Sequence, residues 1–354
     1  MKIKIYKNFI EDKRASMNLF ADSFRKLKKF NNKISFYIPT VSSLFNFLDF
    51  KNKMRLERYL SYPLQVLFRN NNKKIDIAHI ADHQYAHLVD FIPEKKKVVS
   101  VHDLIPFKYK KKLKKNLFLL KYSFSKLYKF DLILTPSLNT KKDLMKYYNI
   151  DPCKIINLSY PPVVQVRVLK KSKKVICNKF NLPEREKKIL VFDTIFYKNF
   201  NYSLKIFKNV KKKYHNLKLI KIGNFTNINN INLNKDILEL VNLTNKDINE
   251  IYNICDLLLF PSIYEGFGLP CLELMKLGKP IVTSDCGSLK EFVNKNCYFN
   301  LKEKKKIENH ILRLIKYKNF YNKHEKISLS QYKKYNENKY FIKLNKIYND
   351  LINE

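Results

Sequence analysis

The chain is 354 residues long, 45% hydrophobic and 14% aromatic, which is enough apolar material for roughly two cores of ordinary domain size and excludes a disordered chain. Its formal net charge of +39 comes almost wholly from lysine spread along the whole length. That reads as a bias toward lysine and asparagine codons and argues against nucleic-acid readout, which favours arginine forks; an anionic membrane surface is a better use of the charge.

Apolar runs stay well short of the ~18 residues of a spanning helix. The opening MKIKIYKNFIEDKR lacks a signal-peptide core. The six cysteines show no C-x-x-C spacing, so reduced packing thiols, no disulfide and no zinc are expected in a cytoplasmic protein. Short Ile/Val/Leu-rich runs then alternate with segments of helical periodicity. In the first half they are KIKIY (2–6), ISFYIP (34–39), IDIAHI (75–80), KVVSVHDL (97–104), LILTPS (132–137) and KIINLSY (154–160). Their lack of alternation marks strands covered on both faces of a parallel sheet, joined through right-handed βαβ units. After the first strand, EDKRASMNLFADSF (11–24) opens a helix with Ser16 as its expected cap.

His79, His83 and His87 recur at i, i+4, i+8, but His79 ends a strand and Asp82-His83 follow in a loop, so no shared metal face is expected. His102, in VHDLIPF, falls at the carboxyl end of a buried strand, where open α/β sheets place their ligands; the alternative is a hydrogen-bonded strand-end histidine. The segment KYKKKLKKNLFLLKYSFSKLYKF (108–130) carries nine lysines. Drawn as one helix, it aligns Leu113, Leu117, Leu120, Phe124 and Leu127. Either that stripe packs on the sheet, or Lys111, Lys112, Lys114 and Lys115 hold this half against anionic lipid.

A polar break, SYPPVVQVRVLKKSKK (159–174), reads as a linker. Beyond it come KILVFD (188–193), LKLIKIG (217–223), LELVNL (238–243), DLLLF (256–260) and KPIVTS (279–284). The expectation is an α/β protein of two Rossmann-like parallel-sheet domains, residues 1–165 and 175–335, facing a cleft. A last helix, within 336–354, is expected to pack back toward the N-terminal domain.

The chain has five glycines, and Gly266, Gly268, Gly278 and Gly287 fall in one short stretch. Strand DLLLF, loop PSIYEGFG and helix LPCLELMKL follow one another there, with Pro270 in the first helical turn. Gly266 and Gly268 let the backbone bring free N–H groups close to an anion at a helix N-terminus, a place for a diphosphate. Glu265 and Glu273, beside it, suit hydroxyls of a ribose or sugar. A glycosidase acid–base pair would have no use for an anion nest. The plainer alternative is a capped helix and a tight turn.

The stretch FPSIYEGFGLPCLELMKLGKPIVTSDCGSLKEF (260–292) resembles the donor-site motif of family 4, group 1, glycosyltransferases, with two glutamates separated by seven residues. LILTPSLNTKKDLMKYYNIDPCKIINLSYPPV, ILVFDTIFYKNF and DINEIYNICDLLLFPS resemble neighbouring parts of that family, so the likeness runs over roughly residues 75 to 300. The resemblance implies the GT-B architecture and a retaining, metal-independent transferase with a nucleotide-diphosphate sugar as co-substrate and no other cofactor. It implies that Glu265 contacts the donor sugar and Glu273 the nucleotide ribose. Gly266 lies in the same motif, and the backbone of Phe267, Gly268 and Leu269 lies against sugar and diphosphate. Lys198 meets the phosphates, and His102 reaches donor sugar and acceptor.

Two departures stand out. Asp193 occupies a place where the family usually has glycine, and Tyr197 precedes Lys198-Asn199 where an arginine is usual. The expected acceptor is a glycan or lipid-linked oligosaccharide in surface-polysaccharide assembly, with mannose as the working guess for the sugar. The base, sugar and acceptor stay open. Rival readings are a catalytically degenerate GT-B binding protein and a basic nucleic-acid-binding protein.

Overall fold

The structure is a computed structural model that describes residues 1–12, 14–69, 74–113, 117–161, 166–226 and 235–354. The chain divides into two compact units, Met1–Val163 with Glu337–Glu354, and Val164–Asn336. Each unit holds one six-stranded, wholly parallel sheet and its own apolar core.

In the N-terminal unit the strands are β1 (Lys2–Tyr6), β2 (Lys33–Tyr37), β3 (Ile77–Ile80), β4 (Lys96–Ser100), β5 (Leu132–Thr135) and β6 (Ile155–Asn157). Their order across the sheet is β2-β1-β3-β4-β5-β6. In the C-terminal unit β7 (Lys187–Phe192), β8 (Leu217–Ile222), β9 (Ile237–Leu240), β10 (Leu257–Phe260), β11 (Ile281–Ser284) and β12 (Tyr298–Phe299) are ordered β12-β11-β10-β7-β8-β9. Every residue of β3, β5, β10 and β11 is buried, as continuous apolar runs require when helices cover both faces.

The terminal helix Glu337–Asn353 belongs to the N-terminal unit. Buried His79 of β3 ties it down: one ring nitrogen meets the Tyr348 hydroxyl and the other lies 2.8 Å from Ser100 Oγ. Asn32 Nδ2 adds a bond to Asn345 Oδ1 (2.7 Å).

Two local expectations change. The first helix, Ala15–Ser23, starts one residue before Ser16, with Arg14 at its cap position; Ser16 lies inside the first turn and caps nothing. The lysine-rich segment is not one helix. It contains helices Lys110–Leu113 and Phe118–Ser125 and a short turn at Leu127–Lys129, and Lys114 and Lys115 lie outside the described residues. Leu117, Phe124 and Leu127 are buried, and Leu120 packs against the same core, so the apolar stripe is turned inward.

Candidate functional site

Open parallel sheets bind ligands beyond the carboxyl ends of strands where the strand order reverses. In the C-terminal sheet the chain runs β7-β8-β9 in one direction and returns to the far side of β7 as β10, so the reversal falls between β7 and β10. The loops leaving these two strands carry the predicted donor residues.

After β7, Phe196–Lys198 make a single 3₁₀ turn ended by Asn199 in the left-handed region (φ +58°). This turn is stitched to the loop after β10. The Ile263 N–H donates to the Tyr197 carbonyl (2.9 Å), and Asn199 Nδ2 donates to the Pro261 carbonyl (3.2 Å). Lys198 Nζ then lies 2.7 Å from Glu265 Oε1, with their side chains 11% and 9% exposed. The same ammonium stands 4.5 Å from the centre of the Phe260 ring and 5.4 Å from that of Tyr197.

Gly266, Phe267 and Gly268 lead into the helix Leu269–Lys276, whose N-terminus is capped by no side chain among the described residues. Gly268 has φ +104°, which demands glycine, and a Cβ there would stand 2.7 Å from Leu289 Cδ2 and displace that side chain. The Ser288 hydroxyl stands 3.0 Å from the Glu265 carbonyl and 2.9 Å from that of Phe267, and the Phe267 ring stacks on Phe292. The loop is thereby held on its underside.

Glu273 sits on the second turn of that helix, nearly fully buried, and accepts a hydrogen bond from the Tyr252 hydroxyl (3.0 Å). Burial, with the nearby Glu273 carboxylate, pushes the Tyr252 phenol well above its ordinary value, so it stays a donor.

His102 belongs to the other unit. There the order reverses between β1 and β3, and the loops after β1, β3 and β4 bring Asn8, Arg14, Asp82, His83 and His102 into one network. Asp82 accepts from Asn8 Nδ2 (2.8 Å), from the Gln84 N–H (3.0 Å) and from Arg14. Burial alone would raise its carboxyl, but Arg14, with His83 and His102, outweighs that and holds it well below the carboxylate range.

His102 Nε2 lies 2.8 Å from the Ala81 carbonyl and so carries the proton, while Nδ1 accepts from the Tyr160 hydroxyl (2.5 Å). The His102 N–H donates to His83 Nδ1 (3.1 Å). Burial lowers the pKa of both rings, that of His83 to about 3, so both are neutral at ordinary pH. The ligand atoms of Asp82, His83 and His102 lie within 4.8 Å of one another, a metal-like spacing. These bonds already commit both ring nitrogens of His102, and Asp82 is held by three donors, so the trio stands as a hydrogen-bonded network.

Residues 172–334 match the family of glycosyl transferases group 1. That match covers most of the C-terminal unit, Val164–Asn336, and includes Lys198, Glu265 and Glu273. Serotype-specific mannosyltransferase WbdA of Escherichia coli is 47% identical over 51 residues, 14% of this chain and 6% of that protein. An uncharacterized glycosyltransferase of Methanocaldococcus jannaschii is 26% identical over 166 residues, 44% of this chain and 40% of the relative. The match thus spans well under half the length of either relative.

Among solved structures, sucrose-phosphate synthase of Thermosynechococcus elongatus superposes with a TM-score of 0.75 at 12% identity, covering 99% of both chains. HepE of Anabaena, in complex with UDP and glucose, gives 0.70 at 12% identity over 99% of this chain and 100% of its own. WaaG, a glycosyltransferase involved in lipopolysaccharide biosynthesis, gives 0.69 at 13% identity over 98% and 99%. The fold is that of GT-B glycosyltransferases.

Three features of this site escape sequence reading. Tyr252 and Ser288 reach their partners across 21 and 23 residues, with no spacing that announces it. Asp193 is buried and structural: its carboxylate lies 3.0 Å from Lys221 Nζ and accepts from the Thr226 N–H (2.8 Å) and hydroxyl (3.0 Å). It thereby fixes the turn after β8, where Gly223 (φ +96°) passes within 2.7 Å of the Asp193 carbonyl if given a Cβ.

Proposed function

We propose that the chain is a retaining, metal-independent family 4 hexosyltransferase that moves mannose from a nucleotide-diphosphate sugar to a glycan or lipid-linked acceptor in surface-polysaccharide assembly. The observation that carries this is the joining of two loops at the reversal between β7 and β10, where Lys198 and Glu265 meet beside the helix that starts after Gly268. The likeness to the mannosyltransferase WbdA supports mannose over a short stretch, and the HepE complex with UDP and glucose supports a nucleotide-sugar donor.

In this reading the diphosphate lies against the N–H groups of Phe267, Gly268 and Leu269. Lys198 turns from Glu265 to the phosphates, which frees Glu265 to accept a sugar hydroxyl. Glu273, oriented by Tyr252, accepts from the ribose hydroxyls. The acceptor oxygen bonds to the anomeric carbon as the bond to the diphosphate breaks on the same face, and its proton passes to the departing phosphate oxygen. The acceptor is taken by the N-terminal unit, where neutral His102 would exchange its Tyr160 partner for a substrate hydroxyl. The expected location is the cytoplasm; among the described residues no helix is long and apolar enough to cross a membrane.

Incubating the protein with a panel of nucleotide sugars, and reading both thermal shift and nucleoside-diphosphate release, tests the proposal. One sugar should stabilise the fold and be turned over, and turnover should persist in excess chelator. Stabilisation without release by any donor would favour a degenerate binding protein, a reading that Tyr197 in the arginine position motivates. Loss of turnover on chelation, restored by Mg²⁺ or Mn²⁺, would overturn the metal-free phosphate site.

A further inference from the structure

The N-terminal unit exposes an apolar surface that no sequence pattern announced. Residues 50–68 form a helix in three joined parts: Phe50–Leu56, a wide π turn at Glu57–Ser61, and Tyr62–Phe68. Pro63 lacks the N–H that would bond back along an α-helix, which accounts for the wide turn. The inner face buries Met54, Tyr62 and Val66 in the core. The outer face is also apolar. Leu56, Leu60, Leu64 and Phe68 recur every four residues, with Leu67 beside them, and Phe68 is 84% exposed. The preceding turn adds Leu44 (75%) and Phe47 (80%). It is tied to the helix by Lys53 Nζ on Asn46 (2.6 Å) and by the Ser42 N–H on Glu57 (2.7 Å).

Scattered exposed leucines need no explanation, but a continuous stripe of this length does. Its surroundings are cationic. Lys51, Arg55 and Arg69 are exposed around it, whereas Glu57 is buried and Asp49 serves as the helix cap. The lysine-rich segment adjoins it: Tyr122 lies 6.5 Å from Tyr59 between ring centres, and the Ser123 hydroxyl lies 3.3 Å from the Tyr59 hydroxyl. Lys121 and Tyr122 are exposed there. A second copy of the chain would bring the same cations against this face, and protein interfaces are depleted of lysine. A bilayer with anionic headgroups satisfies both halves, taking leucine and phenylalanine into the acyl boundary and lysine into the headgroups.

We propose that the outer face of residues 44–68, flanked by Lys51, Arg55, Arg69 and Lys121, docks the N-terminal unit on an anionic membrane surface. None of these residues belongs to the donor site, so the failure of this proposal leaves the transferase reading untouched.

The chain contains no tryptophan, so Leu64→Trp supplies a lone emitter. With phosphatidylglycerol-containing vesicles its fluorescence should shift to the blue and be quenched by brominated lipid. Val175→Trp, exposed on the C-terminal unit, should show neither effect. In cosedimentation, the variant Leu60→Gln/Leu64→Gln/Leu67→Gln/Phe68→Gln should bind such vesicles about tenfold less or weaker still, and wild type should prefer them over phosphatidylcholine. These side chains are exposed, so the circular dichroism spectrum of the variant should match that of wild type. An unshifted Leu64→Trp, wild-type binding by the quadruple variant, or no preference for anionic lipid would overturn the proposal. So would self-association of wild type without vesicles that the same four changes abolish, because the face would then belong to a second copy.

Discussion

Lys198 and Glu265 face each other in a site closed to about nine-tenths, so each charge depends on the other until a ligand intervenes. A carboxylate that is exchanged from a lysine to a sugar hydroxyl during the reaction should matter to the rate. One that is held by a buried tyrosine beside a ribose should matter to binding. Glu265→Gln is therefore expected to lower kcat by about 10²-fold with little change in donor KM, and Glu273→Gln to raise donor KM about tenfold with kcat nearly kept. Steady-state kinetics with the donor found by screening checks both; unchanged constants in the two variants would remove these roles. Asp193 is a residue of a different kind. Replacing it with the glycine usual in the family takes one of two carboxylates from the fully buried Lys221 ammonium, leaving Glu239, and breaking a buried pair costs up to about 3–5 kcal/mol. Asp193→Gly should lower thermal stability sharply, and Asp193→Gly/Lys221→Met should recover most of it. A single variant as stable as wild type would show that Glu239 and the Thr226 carbonyl satisfy Lys221 alone.

The loop 261–268 is the element on which the site turns, and its shape was partly legible. Glycine at 266 and 268, proline at 270 and a following apolar helix specify a tight approach to a helix N-terminus, and the structure has φ +104° at Gly268. The brace beneath it was not legible, because Ser288 acts through two backbone carbonyls that any sequence would supply. Gly268→Ala meets Leu289 and an unfavourable φ together, which together cost about 1–3 kcal/mol. It should lower Tm and abolish donor-induced thermal shift. Ser288→Ala should lower Tm slightly and weaken donor binding several-fold without altering kcat. Should donor affinity prove intact in Ser288→Ala, the brace serves folding only. Elsewhere the apolar runs announced eleven strands because a parallel sheet covered on both faces leaves little freedom in residue type. β12 escaped because two residues at a sheet edge make no run. The lysine-rich segment reads as one helix because leucine spacing alone does not register that a separate helix starts at Phe118 and ends before the turn at Leu127–Lys129. The exposed stripe on 50–68 was hidden for the opposite reason: with apolar residues on both faces, its periodicity gives no side to the core.

At the scale of the whole molecule, the buried histidines set the response to acid. Burial lowers the pKa of His79 and His83 to about 3 and of His87 to about 4 in the N-terminal unit, and that of His310 to about 3 in the C-terminal unit. In the unfolded chain each returns to about 6.5. The unfolded state therefore binds more protons below that pH, so their contribution is intact above about 6.5 and shrinks as pH falls toward the folded values. Each histidine then removes about 1.4 kcal/mol per pH unit. Three in one unit remove about 6 kcal/mol by pH 5, which is comparable with the whole stability of an ordinary domain. The +39 charge, rising further with protonation, works in the same direction. Asp82, held down by Arg14, contributes its loss only at lower pH. The two units have separate cores, so the N-terminal unit should unfold first, near pH 5, while the C-terminal unit with its single strongly depressed histidine persists toward pH 4. Far-UV circular dichroism across pH 7 to 3 should show two steps, and limited proteolysis at pH 5 should spare fragments from the 166–336 region. His310→Phe should leave the first step where it is and move the second to lower pH. A single transition below pH 4 would mean that the N-terminal histidines relax to water before the fold gives way, and that their burial carries no such load.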